Sequence, residues 1–519
     1  MSIFCNVFRA ITCNSLSLGS DNPWEDMEDK LRRHGQDHVL TPPPPEERKA
    51  AFLAQLQSLD LEGIPRMLKT SLAGAEERDI KREPLPEVVS QDKMPAEEVK
   101  QLHERGLTMI ARGEVAALLL AGGQGTRLGT SAPKGCYDIG LPSGKSLYQY
   151  HAEKILKVRR LAAAHCAKDE SSVRLRLLVM TSPATDAETR SFFATHDHFG
   201  LGADGVSFFE QGMLPCLTPE GQLMLDAPGN LAMAPNGNGG VYVSLRDSGT
   251  LAQLEREGVT SIFQFGVDNV LCHVADPVFL GFCASRDADC AAKTVPKRDA
   301  HEPVGVVALA DGKPAVVEYS EISKEMAEAT DPTSGQLLYG ASHICVNFFA
   351  LAFLRDFCER RLTTLPLHVA KKKIPYVNAH GDRITPTSNN GIKLELFIFD
   401  TFPHAKRMAA LMVPRADEFA PVKNAPGAAS DSPDTARALI YELSLRRLLA
   451  AGGKIKEVKG GSSGLLEMMG INKPDASNAG ARPPSAAPVV EISPLLSYQG
   501  EGLEASVKGK VFTPPVHLS

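Results

Sequence analysis

The chain has 519 residues, 43% of them hydrophobic and 23% charged, and a formal net charge of −6. That is the balance of a soluble globular protein with room for two to four domains. It excludes a general polyanion-binding surface, and no apolar run reaches bilayer-spanning length, so neither a nucleic-acid partner nor a membrane is expected.

Residues 1–25 read as an unstructured extension, because Asn6 and Arg9 interrupt the apolar core that a secretory signal needs. From residue 23 to about residue 69 the text is helical with breaks. WEDMEDKLRRHG and EERKAAFLAQLQSLDLEGI repeat Leu and Phe every three or four residues on either side of TPPPPEE. Residues 95–115 predict a further helix with Pro first and acids in its first turn.

At residue 115 the pattern changes. VAALLLA (115–121) is a continuous apolar run, as in a parallel strand buried on both faces, and 174–182, 261–269 and 302–309 resemble further strands. Helical stretches at 146–165 and 251–258 separate the first of them. This alternation predicts an α/β sheet with right-handed crossovers. Residues 393–413 (KLELFIFDTFPHAKRMAALMV) read as helix then strand. Residues 434–453 read as a helix stopped by a glycine pair, 472–488 as a mobile polar loop, and the remainder as short strands and turns. Ten cysteines without a CxxC pair argue against a zinc knuckle and fit a reducing, cytoplasmic compartment.

The chemistry concentrates at LAGGQGTRLGTSAPK (120–134), where glycines follow a strand and two cations follow the glycines. Backbone amides in such a turn can point together at an anion. The stretch lacks the Lys-Ser or Lys-Thr of a Walker A loop. In the dinucleotide pattern GxGxxG its third glycine, Gly129, comes one position late. A nucleotidyltransferase loop, in which Arg127 and Lys134 neutralise a triphosphate, fits the spacing.

Together with LLLAGGQGTRLGTSAPKG, the blocks FFEQGMLP, MAPNGNGGVY, GVDNVLCHVADP, VVEYSEIS, NGIKLELFIFD, DEFAPVKNA and ISPLLSYQGEGLE occur in this order. From about residue 28 to the end the chain resembles the eukaryotic UDP-N-acetylglucosamine pyrophosphorylase family, within the UDP-sugar pyrophosphorylases. The resemblance implies a Rossmann-like nucleotidyltransferase domain (113–405) between a mainly helical N-terminal domain (26–112) and a smaller α+β C-terminal domain (406–519). It implies transfer of UMP from UTP to N-acetylglucosamine 1-phosphate without a covalent intermediate, a Mg2+ or Mn2+ cofactor, and a monomer or homodimer. A UDP-glucose or broad UDP-sugar pyrophosphorylase is the alternative, and a non-catalytic nucleotide-sugar-binding homologue a third reading.

Residue by residue, the resemblance assigns Leu120, Ala121, Gly122, Gly123, Gln211 and Gly237 to the nucleotide, and Arg127, Lys134 and Lys423 to catalysis on the phosphates. It assigns Asp268 to the nucleotide and the metal, Lys393 to a nucleotide phosphate, and Asn238, Glu318, Tyr319 and His343 to the sugar. On composition alone Gln211 is a loop cap, Asp268 a turn cap, and Lys393 and Lys423 solvated charges. Because Lys423 is distant in sequence from the glycine loop, its participation implies a C-terminal domain that folds over the substrate and gates catalysis. The chain departs from the family at Ser342-His343-Ile344, where Gly-Asn-Ile is usual, which puts the sugar preference in question. Cys136, beside the cations, is a packed thiol with some scope for redox sensitivity.

Overall fold

The computed structural model describes residues 22–75, 80–456 and 488–519. The expected N-terminal extension lies outside the described residues through residue 21, and the expected polar loop lies outside them through residue 487. Helix α1 (Pro23–Arg33) begins where Asn22 accepts from the Trp24 amide and Pro23 fills the first turn. The second helical run divides into α2 (Glu46–Gln57) and α3 (Gly63–Ala75), since Asp60 caps the Gly63 amide at 3.0 Å.

Short strands β1 (Arg82–Pro84) and β2 (Val89–Ser90) precede α4 (Ala96–Ala111). Then come β3 (Val115–Leu120), α5 (Leu147–His165), β4 (Arg176–Thr181), β5 (Val206–Glu210) and β6 (Ser261–Gly266). They are followed by α6 (Pro277–Ser285), β7 (Cys290–Pro296), β8 (Val306–Ala310), β9 (Lys313–Val317) and β10 (Ala341–Ala350). A hairpin of β11 (His368–Lys372) and β12 (Gly391–Glu395) leads to β13 (Met408–Met412).

Eleven strands of the described residues form one sheet. Its path is β2-β13-β7-β10-β6-β3-β4-β5, with β8 branching onto β1, β9 and β10. Along that path only β10 runs against the others. The carboxyl ends of β3 to β7 and the amino end of β10 therefore share one edge, where ligands of open α/β sheets bind. The apolar run of β3 follows from burial on both faces: Val115, Ala117 and Leu119 enter one core, Ala116 and Leu118 the other.

Residues 393–413 depart from the expectation of helix then strand. Buried Ile392, Leu394, Leu396 and Ile398 alternate with period two, β12 pairs with β11, and the helical part shrinks to a 3-10 turn over Ile398–His404. Strands β2 and β13 bring chain from both flanks of 113–405 into the sheet. Helix α7 (Pro433–Ala450) starts on a Ser432 cap and packs with β14 (Val490–Ile492) and β15 (Val516–Leu518) around a separate small core.

Candidate active site

Beyond Leu120 the chain leaves the sheet edge. Ala121 still donates to Met180 O at 2.9 Å, and the loop then folds on itself: Gly125 donates to Ala132 O (2.9 Å) and Lys134 to Gly123 O (3.0 Å). Thr126–Leu128 makes one 3-10 turn that closes at Gly129, whose φ of 84° is left-handed. The late glycine thus serves a turn that a dinucleotide loop does not have. Among the described residues no acceptor takes the amides of Gly122, Gly123 and Gln124, and consecutive free N–H groups make an anion-binding concavity. Gly122 lies so close to the buried Gln211 that an added Cβ would stand 2.7 Å from its Nε2.

Four predicted phosphate and metal residues meet at this mouth. Burial holds the Lys134 ammonium below its ordinary pKa; Asp268 raises it, while Lys423 and Arg127 lower it further. Asp268 lies just past β6, and its carboxylate has no hydrogen bond or ion pair among the described residues. Its turn is braced by Lys154, which burial pulls down to about 7 and which donates to the carbonyls of Val270 and Cys272.

Lys423 arrives on a loop fastened to the same turn. Val422 donates to Asp268 O (3.0 Å), Asn269 donates to Glu418 O (2.8 Å) and accepts from the Ala420 amide (3.0 Å). These bonds fix the Lys423 backbone to the sheet edge. Lys423 therefore stands at the sheet edge on a loop clamped to the Asp268 turn.

The charge of Lys423 also acts on Glu318, His343 and Cys345, which places two of the sugar-assigned residues near it. Burial and then Glu321 push the Glu318 carboxyl up, against His368 and Lys423. Tyr319 projects, 56% exposed. Gly237 takes a φ of 82°, with Leu396 O only 2.4 Å from where a Cβ would be. Asn238 Oδ1 accepts from the Ile398 amide at 2.9 Å, which leaves its NH2 group for other partners. His343 is pulled down to about 4, chiefly by burial, and meets Phe399 and Phe402 edge-on at 5.7 and 6.0 Å. Lys393 stands apart on β12: its charge acts on Cys216 and not on Lys134.

Several residues of this wall were invisible to sequence reasoning. His368 stacks on Phe397 at 4.1 Å and pairs with Asp400 at 3.0 Å. Asn347 and Gln264 stand behind His343, and their one sequence signal is a lone amide inside each of the apolar runs IFQFG and CVNFF. Burial, and then Glu188, push the Cys136 thiol up to about 12, which disfavours the thiolate that redox sensitivity would need.

A second charge cluster lies beneath. His273, Asp276 and Glu418 offer ligand atoms within 4.8 Å of one another. The Lys293 ammonium fills their centre, 2.6 Å from Asp276 and 2.9 Å from Glu418, and Arg447 and Gln499 reach in from the C-terminal elements. Burial alone disfavours these charges; Asp276 and Glu418 nevertheless hold Lys293 above its usual value, and His273 with Lys293 holds Glu418 below its own. The trio is an ion-pair network and not a metal site.

Residues 65–435 match the family model described as UTP–glucose-1-phosphate uridylyltransferase. The chain is 41% identical to the human UDP-N-acetylhexosamine pyrophosphorylase-like protein 1, over 95% of this chain and 97% of that one. It is 40% identical to the UDP-N-acetylglucosamine pyrophosphorylase of Saccharomyces cerevisiae, over 87% and 88%. The crystal structure of the uridine diphosphate N-acetylglucosamine pyrophosphorylase of Trypanosoma brucei superposes with a TM-score of 0.77 at 33% identity, covering 94% of this chain and 96% of that one.

Proposed function

The chain belongs to the UTP–glucose-1-phosphate uridylyltransferase family, and from that premise we propose that it is a UDP-N-acetylglucosamine pyrophosphorylase of the cytoplasm, transferring UMP from UTP to N-acetylglucosamine 1-phosphate. One observation supports the assignment of the site above all. Three cations, Arg127, Lys134 and Lys423, act around a single unpaired carboxylate, Asp268, beside the free amides of the glycine loop.

In the reaction an oxygen of the sugar phosphate attacks the α-phosphorus of UTP in line. A new P–O bond forms as the bond from the α-phosphorus to the bridging oxygen breaks, and the electron pair leaves on pyrophosphate. No covalent enzyme intermediate is required, so the protein's work is to hold two anions together and stabilise the developing charge. Gly122, Gly123 and Gln211 suit the start of the phosphate chain and the uracil edge. Leu120, Ala121 and Gly237 line the nucleotide, and Lys393 serves a more distant phosphate. Arg127 offers a planar fork and Lys134 and Lys423 point charges to the phosphates. The phosphates in turn favour the charged form of Lys134, offsetting its burial. Asn238, Glu318, Tyr319 and His343 suit the sugar.

A divalent metal fits the residues present. Asp268 is an unpaired carboxylate among phosphate-directed cations, and one carboxylate with phosphate oxygens and waters is a usual Mg2+ shell. Such an ion supplies charge neutralisation on the α-phosphate and the leaving group. The eight unpaired cysteines of the described residues accord with a cytoplasmic setting.

The test is pyrophosphate release from UTP with N-acetylglucosamine, N-acetylgalactosamine or glucose 1-phosphate. The N-acetylglucosamine substrate should be turned over, chelation should abolish the signal and Mg2+ should restore it. Turnover of glucose 1-phosphate alone would replace this reading with a UDP-glucose pyrophosphorylase.

A further inference from the structure

Strand β10 carries a polar relay that its buried setting makes one-directional. Cys345 has a left-handed φ of 56° at the bulge where the register between β10 and β7 shifts, and it has no partner in the ladder to β7. Its carbonyl accepts from Gln264 Nε2 at 3.2 Å. A carbonyl carries no hydrogen, so Gln264 must turn its NH2 that way and its Oε1 the other. Oε1 accepts from Asn347 Nδ2 at 2.6 Å, and Asn347 Oδ1 then faces His343 Nε2 at 3.0 Å. Gln264 and Asn347 are cross-strand partners with no solvent exposure, so water cannot scramble the order.

The consequence falls on the imidazole. Nε2 faces an acceptor and must carry the ring proton, which leaves Nδ1 as a lone pair in the neutral ring. Nδ1 has no partner among the described residues and is not sealed off by them. Phe399 and Phe402 hold the ring edge-on, and the backbone amide of His343 is fixed to Gly305 O at 2.9 Å. An asparagine at this point could turn either end of its amide outward; His343 has no such choice.

We propose that the relay Cys345 O–Gln264–Asn347 makes His343 Nδ1 an obligate hydrogen-bond acceptor in the sugar pocket, selecting sugar phosphates that present an N–H or O–H donor there. This rests on the uridylyltransferase reading for its substrate and on the relay alone for its polarity. Gln264 and Asn347 are positioning residues: Asn347 meets the imidazole, Gln264 orients Asn347, and both are fully buried.

The ring is read directly by 15N NMR of histidine-labelled protein without substrate. The expected spectrum has His343 in the Nε2–H form, with a non-protonated Nδ1 that moves upfield when the sugar phosphate binds. An Nδ1–H form would overturn the proposal. In kinetics, His343→Phe keeps the ring packing and removes the acceptor. It should raise KM for the sugar phosphate about tenfold or more with KM for UTP unchanged, the cost of leaving one buried donor unmatched. Asn347→Leu should do the same by freeing the tautomer, and in that variant the His343 ring should lose its fixed Nε2–H signature in the same spectrum. Unchanged KM values in folded His343→Phe would also overturn the proposal. Absence of turnover in the unmodified chain would sink the uridylyltransferase reading alone, because the tautomer is measured without any reaction.

Discussion

Two groups of charges lie within a few residues of each other, and the chain treats them in opposite ways. Asp276 and Glu418 are buried on Lys293 with every charge matched. Asp268 and Lys423, borne on the same two segments, are left without side-chain partners among the described residues at the mouth of the sheet. A buried charge is tolerable only when paired, since desolvation otherwise dominates. An unpaired charge is affordable only near water, where it is free to meet a ligand. The lower cluster fastens the 415–424 loop to the sheet, and the upper one uses the loop so fixed.

That contrast makes the largest expected effect a structural one. Lys293→Ala leaves Asp276 buried without its cation and Glu418 with His273 alone, and should cost about 3–5 kcal/mol of stability. Urea unfolding measures it, and an unchanged midpoint would mean the network is not what anchors the loop. Lys423→Ala should do the reverse. Its side chain is exposed, so stability should stay within about 0.5 kcal/mol of the parent, while turnover falls about 10²–10³-fold through lost charge stabilisation. A folded Lys423→Ala protein with ordinary rates would remove Lys423 from the site.

The histidines offer a milder probe of the same division. His343 at about 4 and His151 at about 3 lie below their ordinary 6.5, so the unfolded chain binds protons that the folded chain refuses. Their neutral forms favour folding above pH 6.5, and that contribution is lost as pH falls from 6.5 toward 4. The melting temperature should decline over that window and decline less in His343→Phe. A flat profile between pH 6.5 and 5 would contradict the burial that lowers both groups. The smallest effect belongs to the exposed Tyr319: Tyr319→Ala should leave stability nearly unchanged and raise KM for the sugar phosphate a few-fold, about 1 kcal/mol of ring contact.

How much of this was legible in the sequence follows the same physics. The glycine loop and its strand were readable because their requirements are local: an apolar run buried on both faces, turns that need glycine, cations close behind. Asp268 could be placed because strand ends carry ligands in such sheets. The 393–413 stretch misled because its Leu and Phe residues satisfy both a helical and an alternating period, and pairing with β11 decided between them. Lys293 looked like any lysine, since its partners lie 17 and 125 residues away. The relay behind His343 was hidden more deeply. It depends on a bulge that turns one carbonyl, and no spacing in the text announces a bulge.

The open charge cluster is the proposed place of reaction, and its most direct test is pyrophosphate release from UTP and N-acetylglucosamine 1-phosphate by the parent chain and by Arg127→Ala and Asp268→Ala, each with its melting curve. The expected result is turnover by the parent and loss of most of it in both variants at unchanged melting temperature. Near-normal turnover in either folded variant would contradict the claim.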